Sequence, residues 1–359
     1  MARLAVVSFR LGGTDGVSIE SAKWVRALET LGHDVTLVAG EGPVDVLVAG
    51  LAIGARAPSR AQLGAAIGDA DLVVVENLAS LPLNPGARDV LYEGLDGRRA
   101  LFHHHDLAWQ RPATAHLAGP RDGPHWRHVT INDLSRRELA ARGIAATTIP
   151  NTFDCDPPRG DRDGVRARLD VADRVVALLA TRAIARKNVA GALALARDLD
   201  AVLWLLGPGE DGYEEELAAM LASAGVEVRR GLHGASIHDA YAACDLVVLS
   251  STWEGFGNPV LESVTHRRPL ALYPYPVARE IARVGFEFFD LDDRAGLRAA
   301  LATPDEDRLT RNLALARRHF NIADLPARLA PLLSELGVAS PLGSPPWRRA
   351  SVVGSERGG

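Results

Sequence analysis

Two acidic side chains flanking a glycine-rich turn carry the strongest chemical signal in this sequence: Glu254-Gly255-Phe256-Gly257-Asn258-Pro259-Val260-Leu261-Glu262. The run follows an apolar segment, LVVLSS, and leads into apolar residues at helical spacing, so it reads as a strand-to-helix turn. Glycines at such a turn bring backbone N–H groups close to a ligand, and a helix N-terminus beyond them favours anionic groups. Each carboxylate accepts two sugar hydroxyls, which suits Glu254 and Glu262 to a polyhydroxylated ligand. With a helix starting near Gly255, Glu262 lies about two turns in and faces the same cleft. Spacing alone fits a chance pair of acids on a solvated helix start equally well.

Cations stand upstream, in Thr181-Arg182-Ala183-Ile184-Ala185-Arg186-Lys187-Asn188, again after an apolar run. Arg182 as a planar fork and Lys187 as a point charge suit a diphosphate, while Arg186 reads as part of a solvated loop. Gly207, in Gly207-Pro208-Gly209, turns the chain after a third apolar run, where glycine serves an ordinary turn or a close approach to a ligand. In the first half, His103, His104, His105 and Asp106 follow Phe102, and strand alternation places His103 and His105 on one side. Adjacent histidines cannot all point at one ion, so no metal site is expected and no cofactor is implied. Asn132, after His128–Ile131, either faces a cleft or caps the next helix. Gly12 and Gly13 belong to GGTDG, which is not G-x-G-x-x-G, so the dinucleotide fingerprint is absent and a nicotinamide oxidoreductase is disfavoured.

The elements that must position these residues alternate. Leu4–Phe9, Val35–Ala39, Val44–Leu51, Leu72–Glu76, Leu101–His103 and His128–Ile131 read as buried strands. Helices run from about Ser18 to Leu31, closed by Gly32, and from Asp133 to Arg142, closed by Gly143. The stretch IPNTFDCDPPRGDRDG breaks the period as a linker does. Alternation then restarts with strands at Val175–Ala180, Val202–Leu206, Val226–Arg229, Leu246–Ser250, Leu270–Tyr273 and Phe286–Asp290, and helices at Lys187–Arg197 and Tyr213–Ala224. The expected fold is α/β, two doubly wound domains facing a cleft. Their bounds are 1–153 and 154–320, followed by a helix over 321–338 that packs back on the first domain and a disordered tail over 339–359.

Composition agrees with two globular domains: 359 residues, 47% hydrophobic and 24% charged. A net charge of −5 gives no reason to expect nucleic acid, and His266, Arg267 and Arg268 read as a solvated turn. Two cysteines make no disulfide framework, the N-terminus reads as a strand rather than a leader, and no apolar run approaches the ~20 residues of a membrane span. A soluble cytoplasmic protein is expected.

The segment EGFGNPVLE resembles the E-x7-E element of family 4 glycosyltransferases, which have the GT-B fold of two Rossmann-like domains. Thr181 to Asn188 is similar to the family's G-R-L-x-x-x-K-N segment, with Thr181 in place of glycine and Ala183 in place of leucine. The resemblance implies a nucleotide diphosphate sugar donor and an acceptor it leaves unidentified. Glu254 and the backbone of Gly255, Phe256, Gly257 and Asn258 would hold the donor sugar. Glu262 would meet ribose hydroxyls, Arg182 and Lys187 the phosphates, and Gly207 would admit the nucleotide. The acceptor side falls to Gly12, Gly13, His105, Asp106 and Asn132, with Arg10 and the histidines suited to an anionic acceptor. Transfer would retain anomeric configuration, need no divalent metal, and rely on charge stabilisation at the diphosphate. Asp154-Cys155-Asp156 and Asp161-Arg162-Asp163 match D-x-D metal motifs only superficially and read as turns. A sugar phosphorylase and an inert nucleotide-sugar-binding module are the alternatives on such a fold.

Overall fold

The computed structural model describes residues 1–210 and 212–340; the tail expected to be disordered lies, from Pro341 onward, outside the described residues. The chain divides into two compact units. One comprises Met1–Thr152 and the segment from Ala323 onward, the other Phe153–Ile322.

The first unit is built on strands β1 (Arg3–Arg10), β2 (Asp34–Glu41), β3 (Val46–Leu47), β4 (Leu72–Glu76), β5 (Ala100–His104), β6 (Trp126–Thr130) and β7 (Ala146–Thr148). They pair in parallel in the order β3-β2-β1-β4-β5-β6-β7. Alternation along each strand fills both faces. Leu4, Val6, Leu72, Val74 and Leu101 pack with Trp24, Leu28 and the C-terminal helix Leu325–Glu335, through Leu325, Leu329, Leu332 and Leu333. Ala5, Val7, Val73, Val75 and Phe102 pack on the opposite face with Leu63, Leu91 and Tyr92. Asp15 starts the helix Gly16–Thr30 by accepting the N–H groups of Val17 and Ser18, and Gly32, with φ 84°, follows its end.

The second unit repeats the plan with β8 (Val176–Leu179), β9 (Val202–Leu205), β10 (Val228–Arg230), β11 (Leu246–Leu249), β12 (Leu270–Leu272) and β13 (Phe289–Asp290). The order is β10-β9-β8-β11-β12-β13, all parallel. Both sheets are therefore doubly wound. Strand order reverses between β1 and β4 in one and between β8 and β11 in the other, and ligands of such sheets bind at the carboxyl ends of the strands flanking the reversal.

Several expected elements are shorter. The strand expected over Val44–Leu51 keeps only Val46–Leu47, because Asp45 turns its carboxylate onto the Leu37 N–H and Ala49–Leu51 winds into a 3₁₀ turn. The one expected from Phe286 starts at Phe289, because the Asn312 side chain takes both the N–H and the C=O of Glu287. The helix expected from Lys187 starts at Val189, after a 3₁₀ turn over Ala185–Lys187 and a left-handed Asn188 whose side chain caps Gly191.

Candidate active site

In the second unit, the loops after β8, β9 and β11 are stitched together. Gly207 N–H donates to Thr181 O at 3.2 Å and Ala183 N–H to Pro208 O at 2.8 Å. A Cβ on Gly207 would overlap Thr181 O and the Arg182 backbone, so glycine here serves a close approach between loops. Ser250 Oγ donates to Lys187 O at 2.8 Å, and Thr252 N–H to Arg186 O at 2.9 Å.

This stitching brings three charges to the β8/β11 reversal. Lys187 Nζ bonds Glu254 Oε1, and Arg186 Nη1 bonds Glu254 Oε2 at 2.7 Å and Trp253 O at 2.9 Å. Lys187 and Glu254 are 8% and 6% exposed, so this is a buried carboxylate clamped by one cation on each oxygen. Burial pushes the Glu254 carboxyl up, but the Lys187 and Arg186 charges outweigh it and hold it below its ordinary value. Burial pulls the Lys187 ammonium down against the attraction of Glu254. These directions pull oppositely on the pair, and two cations on one carboxylate favour the ionised form. The Arg186 expectation is corrected: it is part of the cluster because the β11 loop accepts its guanidinium. Arg182 is half-exposed and pairs with Glu210 at 2.7 Å, although Lys187 feels its charge.

The turn itself is conformationally demanding. Gly257 has φ 89°, and a Cβ there would overlap the Tyr275 hydroxyl, which donates to Phe256 O at 2.8 Å. We expect Gly257→Ala to destabilise the protein by about 1–3 kcal/mol, measured by thermal denaturation; an unchanged Tm would show that nothing holds this loop. The left-handed glycine delays the helix to Asn258–Thr265, so Glu262 lies about one turn in, not two. The Phe256 ring is buried beside Phe153 and Phe320, with centroids 6.0 and 6.1 Å away, which leaves only its backbone for a ligand. Glu262 Oε2 accepts the Tyr241 hydroxyl at 2.6 Å. Tyr241 in turn stacks on His266 at 4.6 Å, and Arg268 donates to Tyr241 O and Ala242 O. Of the stretch expected to be a solvated turn, His266 and Arg268 thus brace Tyr241 behind Glu262, while Arg267 pairs with the exposed Glu306.

In the first unit, β4 and β5 pair with Glu76 directly opposite His103. Glu76 Oε2 lies 2.9 Å from His103 Nδ1 and 2.8 Å from His105 Nε2, and the His103 ring stacks on Trp24 at 3.8 Å. His104 points to the other face, 2.9 Å from His128, which meets Asp122 at 3.2 Å. Burial raises the Glu76 carboxyl, but the His103 charge and the hydrogen bonds from both rings hold it at about 2. Burial lowers His103 and, further, His104. Burial thus opposes the positive charge that an anionic acceptor would want from these two rings, and Arg10 pairs with Asp15 at 3.2 Å. Asp106 pairs with Arg111 at 2.5 Å. Asn132 is a helix cap, accepting the Ser135 N–H at 2.7 Å. Gly12 takes φ 74° against Pro43, and Gly13 lies beside Asp15 and Ser18 at the helix start.

Sequence reasoning missed Glu76, although a carboxylate ending a wholly apolar buried strand must find partners. Glu76, His103 and His105 offer three atoms within 4.8 Å of one another, near enough to hold a metal. Both nitrogens already sit at hydrogen-bond distance from one oxygen, closer than the roughly 3.3 Å separating ligands around a tetrahedral zinc with ~2.0 Å bonds. Among the D-x-D candidates, Asp161 caps Arg162–Leu169 and Asp156 pairs with Arg317, as turn residues do. A cavity of about 440 Å³ opens at the opposite, N-terminal edge of the second sheet, but its arginines 162, 166 and 267 are paired with Asp245 and Glu306, which marks it as structural.

Two doubly wound units of this kind define the GT-B class. Anabaena HepE, solved with UDP-glucose, is 18% identical with a TM-score of 0.68, covering 93% of this chain and 100% of that one. The sucrose-phosphate synthase of Thermosynechococcus elongatus is 15% identical with a TM-score of 0.72, covering 94% and 99%. Such identities speak for the fold. Residues 177–313 match the family described as Glycosyl transferases group 1. The mannosylglucosylglycerate synthase of Thermotoga maritima is 28% identical over 85% of this chain and 88% of that protein. Its counterpart from Petrotoga mobilis is 26% identical over 81% and 87%. These findings support the resemblance carried by the motifs: the chain is a glycosyltransferase of the GT-B fold. No helix among the described residues is long and apolar enough to cross a membrane.

Proposed function

We propose that the protein is a retaining hexosyltransferase of family 4 that needs no divalent metal. The observation that carries this reading is the Lys187–Glu254–Arg186 cluster at the reversal of the second sheet, beside a helix whose N-cap glycine offers no capping side chain. Glu254 accepts a hydrogen bond from one of the three ammonium N–H groups of Lys187, and the remaining two suit phosphate oxygens. Arg182 and Lys187 stabilise the departing diphosphate. The backbone of Gly255 to Asn258 and Glu254 hold the donor sugar, Gly207 keeps the nucleotide loop tight, and Glu262, braced by Tyr241, meets the ribose hydroxyls. In front-face transfer the bond from the anomeric carbon to the diphosphate oxygen breaks as the acceptor oxygen bonds on the same face, and the acceptor proton passes to the leaving phosphate. Gly12, Gly13, His105 and Asp106 form the acceptor side. The names of the curated relatives make mannose transfer to glucosylglycerate the first pairing to try.

The test combines UDP- and GDP-sugars with an acceptor panel in excess EDTA, reading product anomers by NMR. Retained configuration with undiminished turnover is expected. Inversion, or loss of activity restored by magnesium or manganese, would overturn the mechanism; sugar 1-phosphate release in inorganic phosphate would favour a phosphorylase, and binding without turnover an inert module. Glu262→Ala is expected to weaken binding of the preferred nucleoside diphosphate about tenfold or more, the worth of a hydrogen bond to a charged group. Calorimetric titration measures it, and unchanged affinity would remove Glu262 from the site.

A further inference from the structure

We propose that Glu76 is a positioning residue that fixes His105 in the tautomer protonated at Nε2, so that Nδ1 is left as the acceptor for a substrate hydroxyl. This rests on the reading of His105 as an acceptor-side residue. Two ring nitrogens converge on the single oxygen Oε2 of a carboxylate that accepts only, so both nitrogens donate. A neutral imidazole carries one proton, and its other nitrogen is then an acceptor.

The two histidines differ in what that second nitrogen can do. His103 is 0% exposed, sealed under Trp24, and its Nε2 is buried without a partner. His105 retains 5% exposure, and its Nδ1 is not among the sealed, unpartnered atoms. The neighbouring Asn77 completes the arrangement. It adopts φ 59°, and its Oδ1 accepts the backbone N–H groups of His105 at 3.2 Å and Asp106 at 3.1 Å. Glu76 therefore grips the ring while Asn77 grips the backbone, and both stand at the carboxyl end of β4, next to the reversal of the first sheet. A carboxylate that orients a histidine and sets its tautomer is the arrangement by which hydrolytic triads aim a base. Here the nitrogen turned away from the carboxylate is Nδ1, at the strand end. The charged groups around the cluster are Glu20, whose charge His103 feels, and Asp106 with its partner Arg111.

The test compares Glu76→Gln, His105→Ala and the double variant in the intact protein, by steady-state kinetics across pH. Glu76→Gln is expected to lower kcat about tenfold or more with the donor KM unchanged. Glu76→Asp should restore part of kcat, and in the His105→Ala background Glu76→Gln should add nothing. An equal further loss in that background, or a loss carried by the donor KM rather than by kcat, would show a merely structural carboxylate. Full activity in His105→Ala would remove His105 from the reaction and this inference with it, whereas loss in His105→Ala without loss in Glu76→Gln overturns the inference alone. Stoichiometric zinc in the purified protein would replace tautomer control with ligation. If Glu76→Gln does not fold, Asn77→Ala, which removes the backbone grip, is measured in the same way and is expected to lower kcat only while His105 is present.

Discussion

Replacing Lys187 by alanine is expected to lower kcat by on the order of 10²-fold or more while the donor KM changes little, the scale of losing one preorganised electrostatic contact. The reason lies in when the charge is needed. As the glycosidic bond breaks, charge grows on the diphosphate, and a buried ammonium already oriented by Glu254 meets it without reorganising. Arg186→Ala is expected to lower kcat as well, by less, because Arg186 shares Glu254 and its side chain is about a quarter exposed. Steady-state kinetics with the preferred donor decide this. Small, equal effects of both substitutions in a folded protein would place the diphosphate elsewhere.

Glu254→Ala is expected to be the most destabilising single change at the site. It leaves a buried Lys187 ammonium with Arg186 beside it and no counter-charge, and breaking a buried pair from one side costs about 3–5 kcal/mol. For a unit of this size that corresponds to a fall in Tm on the order of 10 °C. Scanning calorimetry measures it, and the Glu254→Ala, Lys187→Ala double variant should recover part of the loss. The pH dependence has a definite sign. Glu254 is held below its ordinary value of 4.5 in the folded protein, so its stabilisation is present in full above that pH and fades as the pH falls through the lower folded value. Wild type and variant should therefore converge in acid. A pH-independent gap would mean that the carboxylate contributes only by packing.

How much of this was legible in the sequence differs from element to element. Strands buried on both faces, such as Leu72–Glu76 and Leu246–Leu249, show themselves as short apolar runs because helices cover both sides of a parallel sheet. The turn at Gly255 to Asn258 is legible because few residues fit a left-handed strand-to-helix corner. Boundaries such as Val46 and Phe289 were not, since each was set by a hydrogen bond to another element, Asp45 beside Val46 taking the Leu37 N–H and Asn312 taking the Glu287 backbone.

The sequence by itself determined the doubly wound class, the place of the acidic turn and the residue types of the site, because periodicity and local turn chemistry act over a few residues. Which charge meets which was decided only by tertiary structure. Arg186 joins Glu254 across 68 positions, Glu76 meets His103 and His105 across 27 and 29, and Tyr241 braces Glu262 across 21. Such pairs form because parallel pairing sets the ends of β8 against β11 and of β4 against β5. Once buried there, a charged or polar group must take whatever complement the neighbouring strand end presents.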